Sequence, residues 1–519
     1  MENFTKCVPR LPDEIMIEIF RYLPIVDRIA IERVSKSWLG LAVLSWNRQR
    51  ILNMDSKSLG FGTTFGGASI SCRNDSVLQK ILRRCGKHLV NIDVSTLRYC
   101  ALTLISERCP NVIVLHCGCA SEKGLYNLSN CQNLQELIID GTINFERPLH
   151  DLFTKARMLR RVTMQNFTGA GECLMALPLK KMITIKVRNI SADCAVRVIH
   201  QSEKLRELEC ESVKECVFHS IANACTELTV LELKANLAIW YNDVDSALSR
   251  VFERNRNLRS LTLRCFARMT AKCFLSLNER NITKIALIST ENIKKEYLKE
   301  SFGRFHRLSE LEFRYINSFK LGRIAECISL CKHLEKLSVN FVRQYSNRNL
   351  IKMVSGSKSL EKLDLSHMND SEIQKSFTEY LSSHAFVLQE LTLSRCRGIT
   401  DSHLENICEL KYLTILNVSG NPNLHGTMFG NFKNLRQMNC SYCSSVTNEH
   451  LIKLLECASD LTVLDIEGCR KVNNKTIDVA IKVTMQRTQN HILEIRMRST
   501  GVDRDSLKNT SKLLYLNDT

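Results

Sequence analysis

The sequence predicts a small all-α module of three helices followed by an α/β solenoid of about 17 stacked repeats. Two observations predict this architecture. An apolar hexad, Leu-x-x-Leu-x-Leu in its regular form, returns along most of the 519 residues at a mean interval of about 25 residues, inside the window of repeats built from one strand and one helix. Ahead of that array, residues 11–46 are much richer in apolar side chains than the 44% of the whole chain, and their periodicity is helical. The overall composition, with 24% charged residues and 7 Pro, is that of a folded protein with ample material for a core.

The first element expected is a helix opened by Pro12, Asp13 and Glu14, with Ile15, Ile19 and Leu23 on one face and Pro24 at its end. A second helix is expected from Asp27, placing Ile31, Val34 and Trp38 on one face, and a third apolar run extends from Leu39 to Trp46. One reading of this segment is a cap closing the end of the repeat stack. The ordered residues Leu11-Pro12-x-Glu14-Ile15, Ile19-Phe20-x-Tyr22-Leu23-Pro24, Asp27 and Val34-Ser35-Lys36-x-Trp38 also resemble the F-box motif over nearly its full length. The resemblance implies that residues 8–50 dock on a Skp adaptor, which holds a cullin and its RING partner. Leu11, Pro12, Ile15, Ile19, Phe20, Leu23, Pro24, Val34 and Trp38 would then contact the adaptor or hold the docking helices together. Arg28-Ile29 stands where the family usually has two leucines, a departure that would weaken docking.

Residues 51–80 are expected to hold a linker and the start of the repeat array. Within them, the glycines of the stretch from Asn53 to Asp75 suggest a loop, and no Lys-Ser/Thr follows to make it a phosphate cradle.

The repeats are assigned to residues 81–500. Their anchors run from Leu89 through Val112, Leu134, Leu159 and Met182 to Leu461 and Ile492. Copies such as Leu258-x-x-Leu261-x-Leu263 supply a strand whose alternate residues point inward, and an outer helix covers the same core. After the strand, Cys396-Arg397-Gly398-Ile399-Thr400-Asp401 and its counterparts at Cys443 and Cys469 resemble the cysteine-containing leucine-rich repeat best represented in F-box proteins. This register places fourteen of the 23 cysteines, which read as reduced apolar residues in an intracellular protein without disulfides, metal or cofactor. Residues 501–519 are expected to form a last helix and tail.

In a horseshoe of such repeats, the residues at anchor +2, +4 and +6 line the concave surface. Over the seventeen units these positions hold 11 basic and 14 acidic residues, so the net charge of +18 lies elsewhere. A mosaic of this kind argues against nucleic acid and for a protein substrate of mixed charge. The candidate substrate contacts are Arg188, Glu209, Glu232, Arg264 and Arg314, with Trp240 and Tyr241 on a longer interval between anchors. No catalytic motif, signal peptide or membrane span is read. The expected function is that of a non-catalytic substrate receptor of a Skp-cullin-F-box ubiquitin ligase, in cytoplasm or nucleus. The alternative is a repeat scaffold without a ligase role.

Overall fold

The computed structural model describes residues 11–54, 70–97, 102–235, 243–315, 321–341, 345–368, 373–396, 398–488, 491–503, 511 and 513–517. The chain divides into two compact units, one ending at Ile190 and the other beginning at Ser191. The first opens with α1 (Asp13–Tyr22), α2 (Ile25–Ile31) and α3 (Lys36–Trp46). Its strands follow as β1 (Ile51–Asn53), β2 (Asn91–Val94), β3 (Val114–Cys117), β4 (Glu136–Ile143), β5 (Arg161–Phe167) and β6 (Thr184–Val187), each parallel to the next. The second unit continues the pattern with β7 (Glu207–Val213), β8 (Val230–Ala235), β9 (Ser260–Arg264), β10 (Lys284–Ile288), β11 (Glu310–Arg314), β12 (Lys336–Asn340) and β13 (Lys362–Asp364). It closes with β14 (Glu390–Thr392), β15 (Ile415–Asn417), β16 (Gln437–Asn439), β17 (Val463–Asp465), β18 (Leu493–Arg496) and β19 (Leu514–Asn517).

Within each unit the hexad fixes the register. The residue two after one anchor pairs with the residue two after the next, as in Asn91 with Val114, Glu310 with Lys336 and Glu390 with Ile415. Leu258, Leu261 and Leu263 are buried, as are their equivalents Leu334, Leu337 and Val339. Each such side chain contributes about 2 kcal/mol by leaving water.

Two strands carry no regular hexad. In β1 the anchor position falls on Gln49, and in β19 the third apolar position falls on Asp518, so the pattern fades at both ends while the pairing persists. The C-terminal segment includes a strand at Leu514–Asn517, and residues 504–510, where the expected helix would fall, lie outside the described residues. The expected loop between modules is also shorter: only four residues separate α3 from β1, and a helix, α4 (Ile70–Cys85), is already under way at Ile70. The remainder of that loop, residues 55–69, lies outside the described residues.

The outer layer is not uniform. Most units place an α-helix behind the sheet, whereas the units after Leu159, Leu258 and Leu413 use 3-10 turns at Glu172–Ala176, Lys272–Ser276 and Phe429–Asn431, although units of the same length elsewhere carry helices. Such short elements leave N–H groups without helical partners, and each receives a carboxylate from the preceding repeat. Glu146 accepts from the N–H groups of Gly171 and Cys173, Asp245 from those of Thr270 and Cys273, and Asp401 from those of His425, Gly426 and Thr427.

Candidate interaction surfaces

The three-helix module separates its apolar residues into a core and an exposed patch. Phe20 is 2% exposed and packs with Leu41 and Ala42, while Leu23 and Trp38 close the same cluster half-buried. The Phe20 and Trp38 rings meet at 5.3 Å between centroids. Leu11, Pro12, Ile15, Ile19, Pro24 and Val34 are exposed, with Val34 at 62%. Six of the nine residues expected to dock or brace therefore lie open to a partner, and three brace the module. Val34 and Trp38 do not continue the second helix as expected. That helix stops at Ile31, and Ser35 caps α3 by accepting the Trp38 N–H at 3.1 Å. Leu39, Val43 and Leu44 add to the exposed apolar surface, a contribution the sequence reading missed.

Arg28 departs from its expected role. Its side chain is buried at 4% exposure and points into the module rather than to the docking patch. It donates to Gln49 Oε1 at 2.9 Å, to the Arg21 carbonyl at 2.6 Å and to the Leu23 carbonyl at 3.2 Å, and its guanidinium lies 4.7 Å from the Trp46 ring centroid. Burial lowers its pKa from the usual arginine value, yet the carbonyls and the ring supply the electron-rich surroundings a buried cation needs. Arg28 therefore ties the end of α1 to the residues leading into β1. Beside it Glu32 accepts from Trp46 Nε1 at 3.0 Å and from Arg84 Nε of α4 at 2.7 Å, linking the module to the first repeat helix.

On the strand face of the second unit, most basic residues have an acidic neighbour. Lys234 meets Glu211 at 3.0 Å, Arg264 meets Glu232 at 2.6 Å and Lys362 meets Glu390 at 2.6 Å. Glu310 lies between Lys284 and Lys336, and Arg314 pairs with Glu312. Burial would raise the Glu310 carboxyl, but the two lysines outweigh it and hold it below the usual carboxylate range. A cavity of about 210 Å³ runs over this part of the face, lined by Glu310, Glu312, Arg314, Lys336 and Asp364 among others. Of the expected substrate contacts, Arg264, Glu232 and Arg314 thus belong to ion pairs on this face; Glu209 is buried on the same row. Arg188 is half-buried in the first unit. Trp240 and Tyr241 lie outside the described residues.

The cysteines are mostly interior. Burial pushes the thiols of Cys109, Cys225, Cys396 and Cys443 up to about 12, so none of them is poised as a thiolate nucleophile. Among the described residues no group of His, Cys, Asp and Glu is arranged to hold a metal ion, and no helix is long and apolar enough to cross a membrane.

Comparison with known proteins agrees with the N-terminal reading. Residues 8–51 match the family model described as F-box-like. The Caenorhabditis elegans protein named "Putative RNA-binding protein EEED8.10" is 26% identical over 344 residues, which is 63% of this chain and 42% of that protein. The chain thus spans about two fifths of the length of that relative. Among solved structures, the yeast Rad7 and Elc1 complex aligns with TM-score 0.44 and 15% identity, over 73% of this chain and 88% of that one. The TLR13-ssRNA13 complex aligns with TM-score 0.40 and 14% identity over 83% and 80%, and a Listeria monocytogenes internalin with 0.32 and 12% over 67% and 83%. The chain carries an F-box-like domain followed by a parallel-strand repeat solenoid.

Proposed function

We propose that this protein is a non-catalytic substrate receptor of a Skp-cullin-F-box ubiquitin ligase, acting in cytoplasm or nucleus. The observation that carries this reading is the F-box-like module's exposed apolar patch around Ile15, Ile19 and Val34, held rigid from behind by Phe20 and Arg28. A patch of this kind fits an adaptor groove, where apolar side chains leave water on binding. The strand face of the repeats presents fixed charges of both signs and suits a protein surface of complementary pattern. Holding that protein near the transferring enzyme raises the effective concentration of its lysines. The name of the nematode relative raises RNA as another ligand, but the strand face does not favour it, because so many of its cations are paired with carboxylates.

The test is affinity purification of the wild type beside an Ile15→Asp, Val34→Asp variant, with bound proteins identified by mass spectrometry. The expected result is that the wild type captures the Skp adaptor and cullin, while the variant loses both and keeps its other partners as substrate candidates. Capture of the adaptor without cullin supports the repeat scaffold without a ligase role. If neither protein captures the adaptor, residues 11–46 serve as a capping element and the ligase reading fails.

A further inference from the structure

The strand face leaves the large positive charge unexplained, and the turns that lead into the strands account for much of it. In the eight units from the Leu258 anchor to the Leu435 anchor, the four turn residues from anchor −2 to anchor +1 include nine basic and two acidic side chains. The strand-face positions of the same eight units hold five basic and four acidic ones. Arg256, Arg280, Arg307, Lys332 and Lys358 stand one to a unit at this edge, and all are exposed. Lys411, Lys433 and Arg436 extend the row, with Arg259 beside Arg256.

The edge is continuous because its backbone is. The N–H at anchor +1 of each unit donates to the carbonyl at the same position in the unit before: Thr283 to Arg259 at 2.8 Å, Ser309 to Thr283 at 2.9 Å, Glu335 to Ser309 at 2.8 Å and Glu361 to Glu335 at 2.8 Å. Gln389, Thr414 and Arg436 carry the ladder on at 2.8 to 2.9 Å. Seven such steps of about 4.8 Å make a row of roughly 34 Å. Among the described residues none of these nine cations forms a salt bridge, in contrast to those on the strand face. The two acids of the edge, Glu335 and Glu361, act on Lys336 of the strand face.

Two aromatic rings interrupt the row. Phe386 is 67% exposed and Tyr412 61% exposed, at the turn positions of consecutive units between Lys358 and Lys433. Unpaired cations alone fit any polyanion. Cations interleaved with open ring faces fit a chain that offers both phosphates and flat bases, because a base can stack on the ring while its phosphate meets the neighbouring lysine. An acidic peptide would use the charges and leave the rings idle.

We propose that this turn edge, from Arg256 to Arg436, is a binding surface for single-stranded nucleic acid, separate from the strand face. It is a sequence-tolerant surface, with stacking at Phe386 and Tyr412 and phosphate contacts along the row.

The test measures fluorescence anisotropy of a labelled oligouridine of about 12 nucleotides with the full chain over a salt series. Two variants accompany the wild type, one Phe386→Ala, Tyr412→Ala and the other Lys358→Glu, Lys411→Glu, Lys433→Glu. All substituted positions are exposed, and circular dichroism of each variant establishes that it folds. The ring variant is expected to bind about tenfold more weakly per ring lost, with an unchanged salt dependence. The lysine variant is expected to lower the slope of log K against log salt by about 2, at about 0.7 for each phosphate contact. Poly-glutamate should displace the oligonucleotide poorly. Absence of oligonucleotide binding at low salt overturns the proposal. So does displacement by poly-glutamate at equal charge with the ring variant unaffected, which would make the edge a surface for acidic proteins.

Discussion

At the scale of single residues, the module shows how one apolar pattern serves two purposes. Ile19 and Phe20 are adjacent, yet the first faces outward and the second fills the core. Phe20→Ala removes a ring packed with Leu41, Ala42 and Trp38, and is expected to cost about 3–5 kcal/mol by transfer and cavity terms. Val34→Asp touches no core contact and is expected to change stability by less than about 0.5 kcal/mol while abolishing adaptor capture. Hydrogen exchange over residues 13–46, read beside adaptor pull-down, separates the two: only Phe20→Ala should speed exchange. Arg28→Leu restores the leucine usual in the family but strips the donor from the Arg21 and Leu23 carbonyls, at an expected cost of about 1–3 kcal/mol. Faster exchange in Phe20→Ala but not in Arg28→Leu would deny Arg28 its bracing role. Periodicity in the sequence marks which residues share a helix face, as it did for Ile15 and Ile19. It is silent on whether the neighbour across that face is the same chain or another, so sequence alone does not separate docking residues from bracing ones. The inward placement of Arg28 is equally illegible in sequence, because two of its three partners are backbone carbonyls, which leave no trace there.

At the scale of elements, the residue seven after the anchor turns the chain off the strand in the left-handed region. Cys265, Ser289, Tyr315, Phe341, His367, Arg395 and Tyr442 all have φ between 52° and 62°, and Gly420 and Gly468 take the same place at 70° and 71°. Non-glycine residues there carry strain, and stacking of Tyr315 on Phe341 at 4.3 Å and of Phe341 on His367 at 3.8 Å offsets part of it. At Gly468 a Cβ would come within 2.6 Å of the Tyr442 ring, so Gly468→Ala is expected to lower stability by about 1–3 kcal/mol. A Tyr442→Ala background should recover the steric part of the loss and leave the backbone part, which thermal unfolding of the double variant measures. The carboxylate caps make a second prediction. Burial would raise the Asp401 carboxyl, but the N–H groups of His425, Thr427 and Gly426 outweigh it and hold the pKa below the usual value. A carboxyl depressed on folding stabilises above its unfolded pKa of about 3.9, and that contribution disappears as the pH falls through the folded value. Wild type should therefore exceed Asp401→Asn by about 1–2 kcal/mol near neutral pH, and the gap should shrink below about pH 4 in urea unfolding. A gap that stays constant to pH 2 would sink the assignment. The regular strands were legible because three buried positions per unit leave an apolar hexad. Gln49 and Asp518 erase that signal in β1 and β19, whose neighbours supply the pairing instead.

At the scale of the molecule, what matters is how far a lesion spreads. In a stack of repeats each unit bonds chiefly to the two beside it, so stability is approximately a sum of repeat terms and nearest-neighbour terms. Leu363 on β13 is buried between β12 and β14, which pair with it on either side. Leu363→Ala is expected to cost about 2–5 kcal/mol. If coupling is nearest-neighbour, exchange protection should fall most in β12 to β14, less in β11 and β15, and hardly at all in β8 or β17. Hydrogen exchange followed by mass spectrometry resolves these strands, and an equal loss across the second unit would show a single cooperative block instead. The distinction bears on function. With local coupling, a substitution on the strand face at Glu310 or Lys336 can change partner choice without disturbing the turn edge at Lys411 and Lys433, several repeats away. The two surfaces could then be altered independently while the docking helices stay as they are. With a single cooperative block, a change that weakens one surface weakens the other through stability alone, and binding losses at the two would rise and fall together with the unfolding free energy.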